Sequence, residues 1–135
     1  MIIGIPKEVK NNENRVSIIP FGVEDLVRCG HIVIIESKAG IGSGFSDAAY
    51  KKAGAKIVTT ASEVYSTSDL IVKVKEPQPE EYEMIRKDQI VFTYFHFAAD
   101  ERLTREIIKT KCIAIAYETV QNLDGELPLL TPMSE

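Results

Sequence analysis

Six short runs of apolar and β-branched residues punctuate the chain, and their spacing constrains the fold more than any other feature. They lie at Ile2–Ile5, His31–Glu36, Lys56–Val58, Leu70–Val74, Ile90–Thr93 and Cys112–Ala116. Runs that are apolar on both faces suit strands covered by helices on both sides. Helix signals fill the gaps. Pro20 opens one, with Glu24 and Asp25 toward its positive end, Val23, Leu26 and Val27 as an i, i+3, i+4 stripe, and Gly30 at the stop. Ser46 or Asp47 caps a second, which ends near Gly54, and Thr60 or Ser62 starts a short third. Pro79–Arg86 is expected to place Tyr82 and Ile85 on one face. Asp100 caps the last, through Thr110, with Leu103, Ile107 and Ile108 turned inward. Strand–helix alternation of this kind predicts an α/β fold: an open, mostly parallel sheet of about six strands, Rossmann-like or flavodoxin-like, with right-handed crossovers and helices on both faces.

Length and charge narrow the function. At 135 residues the chain is expected to be one domain, too short for a two-domain dehydrogenase. A chain of this size buries about two-thirds of its unfolded surface, enough for a core without staples. The formal charge of −4, with no cationic cluster that outweighs its acidic neighbours, argues against nucleic acid and anionic membranes. The uncharged stretch Gln89–Ala99 falls well short of the roughly 18 apolar residues that a membrane span needs. Met1 leads straight into a strand, so no targeting peptide is expected. Two distant cysteines, Cys29 and Cys112, fit buried, reduced thiols of a cytoplasmic protein, and no metal-ligand spacing is present.

In an open α/β sheet, ligands bind beyond the carboxyl ends of the strands. Lys75 follows the strand LIVKV there, His96 follows IVFTY, and Arg15 lies in the polar loop after the first strand. A guanidinium fork matches a carboxylate, a lysine supplies a point charge for a second oxygen, and a histidine moves protons near neutral pH. Together they describe a site for a small oxo- or amino-carboxylate with proton transfer at its second carbon. Each residue also has a plain structural role open to it: Arg15 could pair with Glu13, Lys75 could be solvated charge, and His96 could be a core histidine between Phe95 and Phe97. The aromatics Phe92, Tyr94, Phe95 and Phe97 are expected as core and site wall. Gly40, Gly42 and Gly44 tempt a dinucleotide reading, but Phe45 stands where a G-x-G-x-x-G fingerprint needs its last glycine. Tight turning and close packing account for the run.

The segment GIPKEVKNNENRVSIIP (Gly4–Pro20) resembles the N-terminal signature of the family of alanine dehydrogenases and pyridine-nucleotide transhydrogenases. So do AGIGSGFSDAAYKKAGA (Ala39–Ala55), VKVKEPQPEEY (Val72–Tyr82), FTYFHFAAD (Phe92–Asp100), AYETV (Ala116–Val120) and LPLLTPMSE (Leu127–Glu135). KVKEP, TYFHFAAD and PLLTPMSE look like the dehydrogenase branch. Ser17 and Ile19 depart from the usual signature, which has alanine at the first position and Ser or Thr at the second.

The resemblance implies the N-terminal, substrate-binding part of an enzyme that converts L-alanine, NAD and water reversibly to pyruvate, ammonia and NADH. On this reading residues 1–135 are the substrate domain, and the NAD-binding domain and a C-terminal return segment lie outside the chain. Arg15 would grip the substrate carboxylate, Lys75 would bind substrate oxygens and aid the proton steps, and His96 would be the acid/base. Tyr94 would wall the pocket, Met133 and Ser134 would approach the nicotinamide, and the parent would be a homo-oligomer. The chain alone is expected to be inactive. A transhydrogenase fragment, which Lys75 argues against, and a non-catalytic small-carboxylate-binding domain are the other functions to be told apart.

Overall fold

All six expected strands form, in one sheet in which every pairing is parallel. The computed structural model describes residues 1–134, the side chain of Ser134 excepted. Strands β1 (Ile2–Ile5), β2 (Ile32–Glu36), β3 (Lys56–Val58), β4 (Leu70–Lys75), β5 (Ile90–Tyr94) and β6 (Ile113–Ala116) lie in the order β3-β2-β1-β4-β5-β6. The chain therefore winds outward from β1 through β3, then returns to β4 beside β1 and winds the other way. Helices α1 (Pro20–Arg28), α2 (Asp47–Ala53), α3 (Ala61–Thr67), α4 (Glu101–Thr110) and the short α5 (Thr131–Ser134) complete the fold.

The caps explain where the helices start. Ser46, Thr60 and Asp100 accept from the N–H groups of Ala49, Glu63 and Leu103 at 3.1, 3.2 and 3.0 Å. Alternation along the strands divides the core between two faces. Ile5, Val33 and Ile35 pack with Val23 of α1 and Tyr50 of α2 on one side. Ile34, Ile71 and Val91 pack with Val64 and Tyr65 of α3 and Leu103 and Ile107 of α4 on the other.

Several local expectations give way. Pro79–Met84 is a 3₁₀ helix, because Ile85 must drop into the core and Arg86 must reach the Tyr65 and Ser68 carbonyls. Ile108 is 70% exposed, since one step past Ile107 rotates it about 100° from the buried stripe. Glu24 and Asp25 fall beyond the first turn of α1. Cys29 is exposed at the end of that helix rather than buried, although both thiols are free. Nor is β6 sheathed on both sides: Ile113 and Ile115 are exposed on the face away from α4. No helix among the described residues is long and apolar enough to cross a membrane.

Candidate functional site

The winding reverses between β1 and β4, where an open α/β sheet leaves its crevice. β1 pairs with β4 only through Ile3 and Gly4, opposite Leu70 and Ile71, and the β4–β5 register slips between Val72 and Lys75. Buried backbone groups set free in this way must find other partners. The Glu8 carboxylate, from the loop after β1, accepts the N–H groups of Val74 and Lys75 at 3.1 and 3.0 Å. The carbonyls of Val72, Lys73 and Lys75 accept from Ser17, Tyr117 and Thr93 hydroxyls, each at 2.8 Å. Side chains thus finish what strand pairing leaves open and fasten the β1 loop to the end of β4.

Behind this edge lies a buried ionic cluster. Lys73 Nζ stands 3.1 Å from Glu8 and 3.3 Å from Glu81, and all three residues are buried. Tyr65 donates its hydroxyl to Glu81 at 2.8 Å, and the Gln78 N–H donates to the other Glu81 oxygen at 2.9 Å. Burial, then the Glu81 charge, holds the Tyr65 hydroxyl well above its usual pKa, so it remains a donor. None of these acidic and basic partners was singled out in the sequence reading. A lysine in the middle of a buried strand was the available signal, because such a charge requires a counter-charge.

In front of the edge, a cleft of about 380 Å³ opens, lined by Arg15, Ser17, Phe92, Tyr94, Tyr117 and Leu129 among others. Its aromatic wall is tightly joined: the Tyr117 ring meets Phe92 and Tyr94 edge-on at 4.2 and 4.6 Å. Tyr94 donates to the Leu129 carbonyl at 2.6 Å, which ties the segment after β6 across the cleft. Burial raises the Tyr117 hydroxyl above the usual tyrosine range, and the Glu8 charge pushes the same way.

Arg15 comes to this cleft with a partner. Glu13 accepts from Arg15 Nε at 2.9 Å, from Nη2 at 2.7 Å and from its backbone N–H at 2.9 Å. The hydrogen-bonded guanidinium is the main reason the Glu13 carboxyl falls to about 2; Lys75 adds a smaller pull, which places its charge in the same neighbourhood. Lys75 also stands opposite Tyr94 in the sheet, and among the described residues its ammonium has no ion-pair partner.

His96 does not line the Arg15 cleft. It is exposed, not a core histidine, and its ring lies 6.4 Å from that of Tyr94. Flanking Phe95 and Phe97 stack on each other at 4.5 Å. The backbone of His96 is left-handed (φ 54°), and its N–H donates to Glu118 at 2.9 Å, a contact no sequence spacing announced. Together His96 and Glu118 line a neighbouring hollow with Phe97 and Ala98. Met133 is half exposed on α5 and outside the cleft lining, and the Ser134 side chain lies outside the described residues.

The glycine run does not form a nucleotide cradle. A Cβ on Gly40 would sit 2.5 Å from the Tyr50 ring, and one on Gly42 would sit 2.7 Å from the Asn14 carbonyl. Packing therefore explains the glycine at both positions, whereas Gly44 (φ 87°) has open space where its Cβ would be and serves the left-handed turn. Among the described residues, no group of three His, Cys, Asp or Glu could hold a metal ion.

Comparison with known proteins places this geometry in context. Residues 4–135 match the family described as alanine dehydrogenase/PNT, N-terminal domain. The chain is 55% identical over its whole length to the alanine dehydrogenase of Methanococcus maripaludis, of which it covers 36%. A solved L-alanine dehydrogenase superimposes with a TM-score of 0.95 at 51% identity, covering 99% of this chain and 37% of that one. A transhydrogenase from Sinorhizobium meliloti gives 0.82 at 30% identity, with 87% and 35% covered. The chain thus spans about a third of the length of the curated relatives it matches.

Proposed function

The chain belongs to the family of alanine dehydrogenase/PNT N-terminal domains, and from that premise we propose that it is the substrate-binding portion of an alanine dehydrogenase. The reaction would be L-alanine + NAD⁺ + water ⇌ pyruvate + ammonium + NADH + H⁺. The observation that carries this reading is the cleft at the β1/β4 reversal, lined by Arg15, Tyr94 and, from β4, Lys73 and Val74; Lys75 does not line it but stands next along the strand, opposite Tyr94. Lys75 favours the dehydrogenase over a transhydrogenase fragment.

Arg15 would bind the substrate carboxylate through two parallel N–H···O bonds. Lys75 would face the oxo or amino group and stabilise charge as it develops on oxygen. His96, two residues beyond β5, would exchange the proton with the water-derived oxygen during the carbinolamine stage. Its place in a separate hollow means that this step needs the substrate's reacting carbon at the Tyr94 side of the cleft. Since the pyrophosphate has no cradle here, NAD would be bound outside the described residues, with Met133 and Ser134 as the segment nearest to it. The hydride step is accordingly assigned to no residue of this chain. Two free cysteines fit a reducing compartment such as the cytoplasm.

Titration of the isotope-labelled chain with pyruvate tests the reading. One wall of a cleft site offers limited desolvation, so affinity should be about millimolar, near −4 kcal/mol. Shifts should centre on Arg15, Lys75 and Tyr94 and disappear in Arg15→Lys. Shifts centred on Gly40–Gly44 would overturn the site.

A further inference from the structure

We propose that Glu13 is a positioning residue, which holds the Arg15 guanidinium side-on and so presents its adjacent end-on edge, Nη1 with Nη2, to a carboxylate in the cleft. The inference rests on the reading of Arg15 as the carboxylate clamp and adds a second residue to it.

Arginine has five N–H donors in a rigid plane, enough for two carboxylates on two edges. Glu13 takes one edge: Oε2 accepts from Nε and Oε1 from Nη2. Among the described residues, no partner takes the end-on edge, and Arg15 lines the cleft. The same Oε2 also accepts the Arg15 backbone N–H at 2.9 Å, so one carboxylate fixes both ends of the arginine side chain. Unlike a surface partner, the Glu13 side chain is 5% exposed, against 48% for Arg15. A carboxyl lowered to about 2 stays ionised at every pH at which the protein would bind a substrate. The clamp is therefore set before the ligand arrives.

Pre-ordering a long side chain removes an entropy cost from binding. Glu13 also moderates charge. Its carboxylate offsets part of the positive charge that Arg15 and Lys75 bring to one edge.

The test compares the isotope-labelled chain with Glu13→Gln and Glu13→Asp, reading Arg15 Nε–H order by relaxation and pyruvate affinity by titration. In the wild type Arg15 Nε–H should be ordered before ligand is added. Glu13→Gln should loosen it and weaken pyruvate binding about two- to tenfold, the cost of ordering one such side chain, and Glu13→Asp should fall between. If Glu13→Gln fails to fold, the Glu13→Asp comparison decides in the same direction. A purely structural Glu13 would lower the melting temperature without changing Arg15 order or affinity relative to wild type. Equal or tighter binding by Glu13→Gln would overturn the proposal, tighter binding showing that Glu13 competes with the ligand. Acetate separates this inference from the reading beneath it. If Arg15 responds to acetate but not to pyruvate, the oxo-acid reading falls and the acetate affinities decide the role of Glu13. Response to neither acid overturns both.

Discussion

Lys73 shows how a buried charge can be both costly and irreplaceable. Its Nζ lies between Glu8 and Glu81 with about 1% of the side chain exposed, so one amine and two carboxyl groups share a space that water scarcely reaches. Removing the cation leaves two carboxylates facing each other without compensation. Loss of one partner from a buried pair costs about 3–5 kcal/mol, so Lys73→Met should lower unfolding stability by about that amount in a urea titration. Unchanged stability would mean that the cluster is hydrated or protonated rather than paired. Buried ion pairs can often be exchanged for hydrophobic residues, but Glu8 resists this exchange because it also serves the N–H groups of Val74 and Lys75. The sequence exposed this cluster only in part. Lys73 is visibly a charge inside an apolar run, yet Glu8 is 65 positions away and nothing in its local pattern names it. Arg15 and Glu13 are the contrary case: two residues apart, their pairing was readable in advance. His96 was readable as the residue after a strand, whereas its left-handed backbone and Glu118 partner arise from chain segments brought together by folding.

At the scale of elements, period and caps were enough to locate the strands and most helices, because those signals are local. Pro79–Met84 was misjudged for a tertiary reason. Glu81 is drawn at once to the Gln78 N–H, the Tyr65 hydroxyl and Lys73, and the turn tightens to let one side chain serve all three. Gly4 has a similar lesson. A glycine within a strand signals close approach, but only the fold shows that α3 and its following turn are what approaches. A Cβ built there would lie 2.1 Å from Ser68 Oγ and 2.8 Å from Val64 Cγ1. Gly4→Ala should therefore force α3 away from β1 and cost about 1–3 kcal/mol, the range of overpacked cores. Chemical denaturation measures it; a neutral effect would show that the β1–α3 contact yields freely.

For the whole molecule, the decisive fact is where the sheet changes direction. The reversal at β1 and β4 sets the Arg15 cleft at the carboxyl edge, and Glu8 holds the two strand ends together there. On the proposed reading, that edge would recognise a small carboxylate through Arg15. For a dinucleotide the glycine turn is the one sequence feature that tempts, and its Gly40 and Gly42 are accounted for by close packing on Tyr50 and Asn14. Binding and turnover should consequently separate in this chain. Pyruvate should perturb Arg15 and Lys75, while alanine with NAD should give no NADH above the rate of the Arg15→Lys chain, followed by near-ultraviolet absorbance. Hydride transfer requires the two reacting carbons to be held at close range and in line, an advantage worth about 7–11 kcal/mol when it is present. A chain that fixes only one of the two reactants forgoes nearly all of it. Alanine-dependent NADH formation by the purified chain, abolished by Arg15→Lys, would show instead that the described residues do seat the cofactor and that the packing account of the glycine turn is wrong.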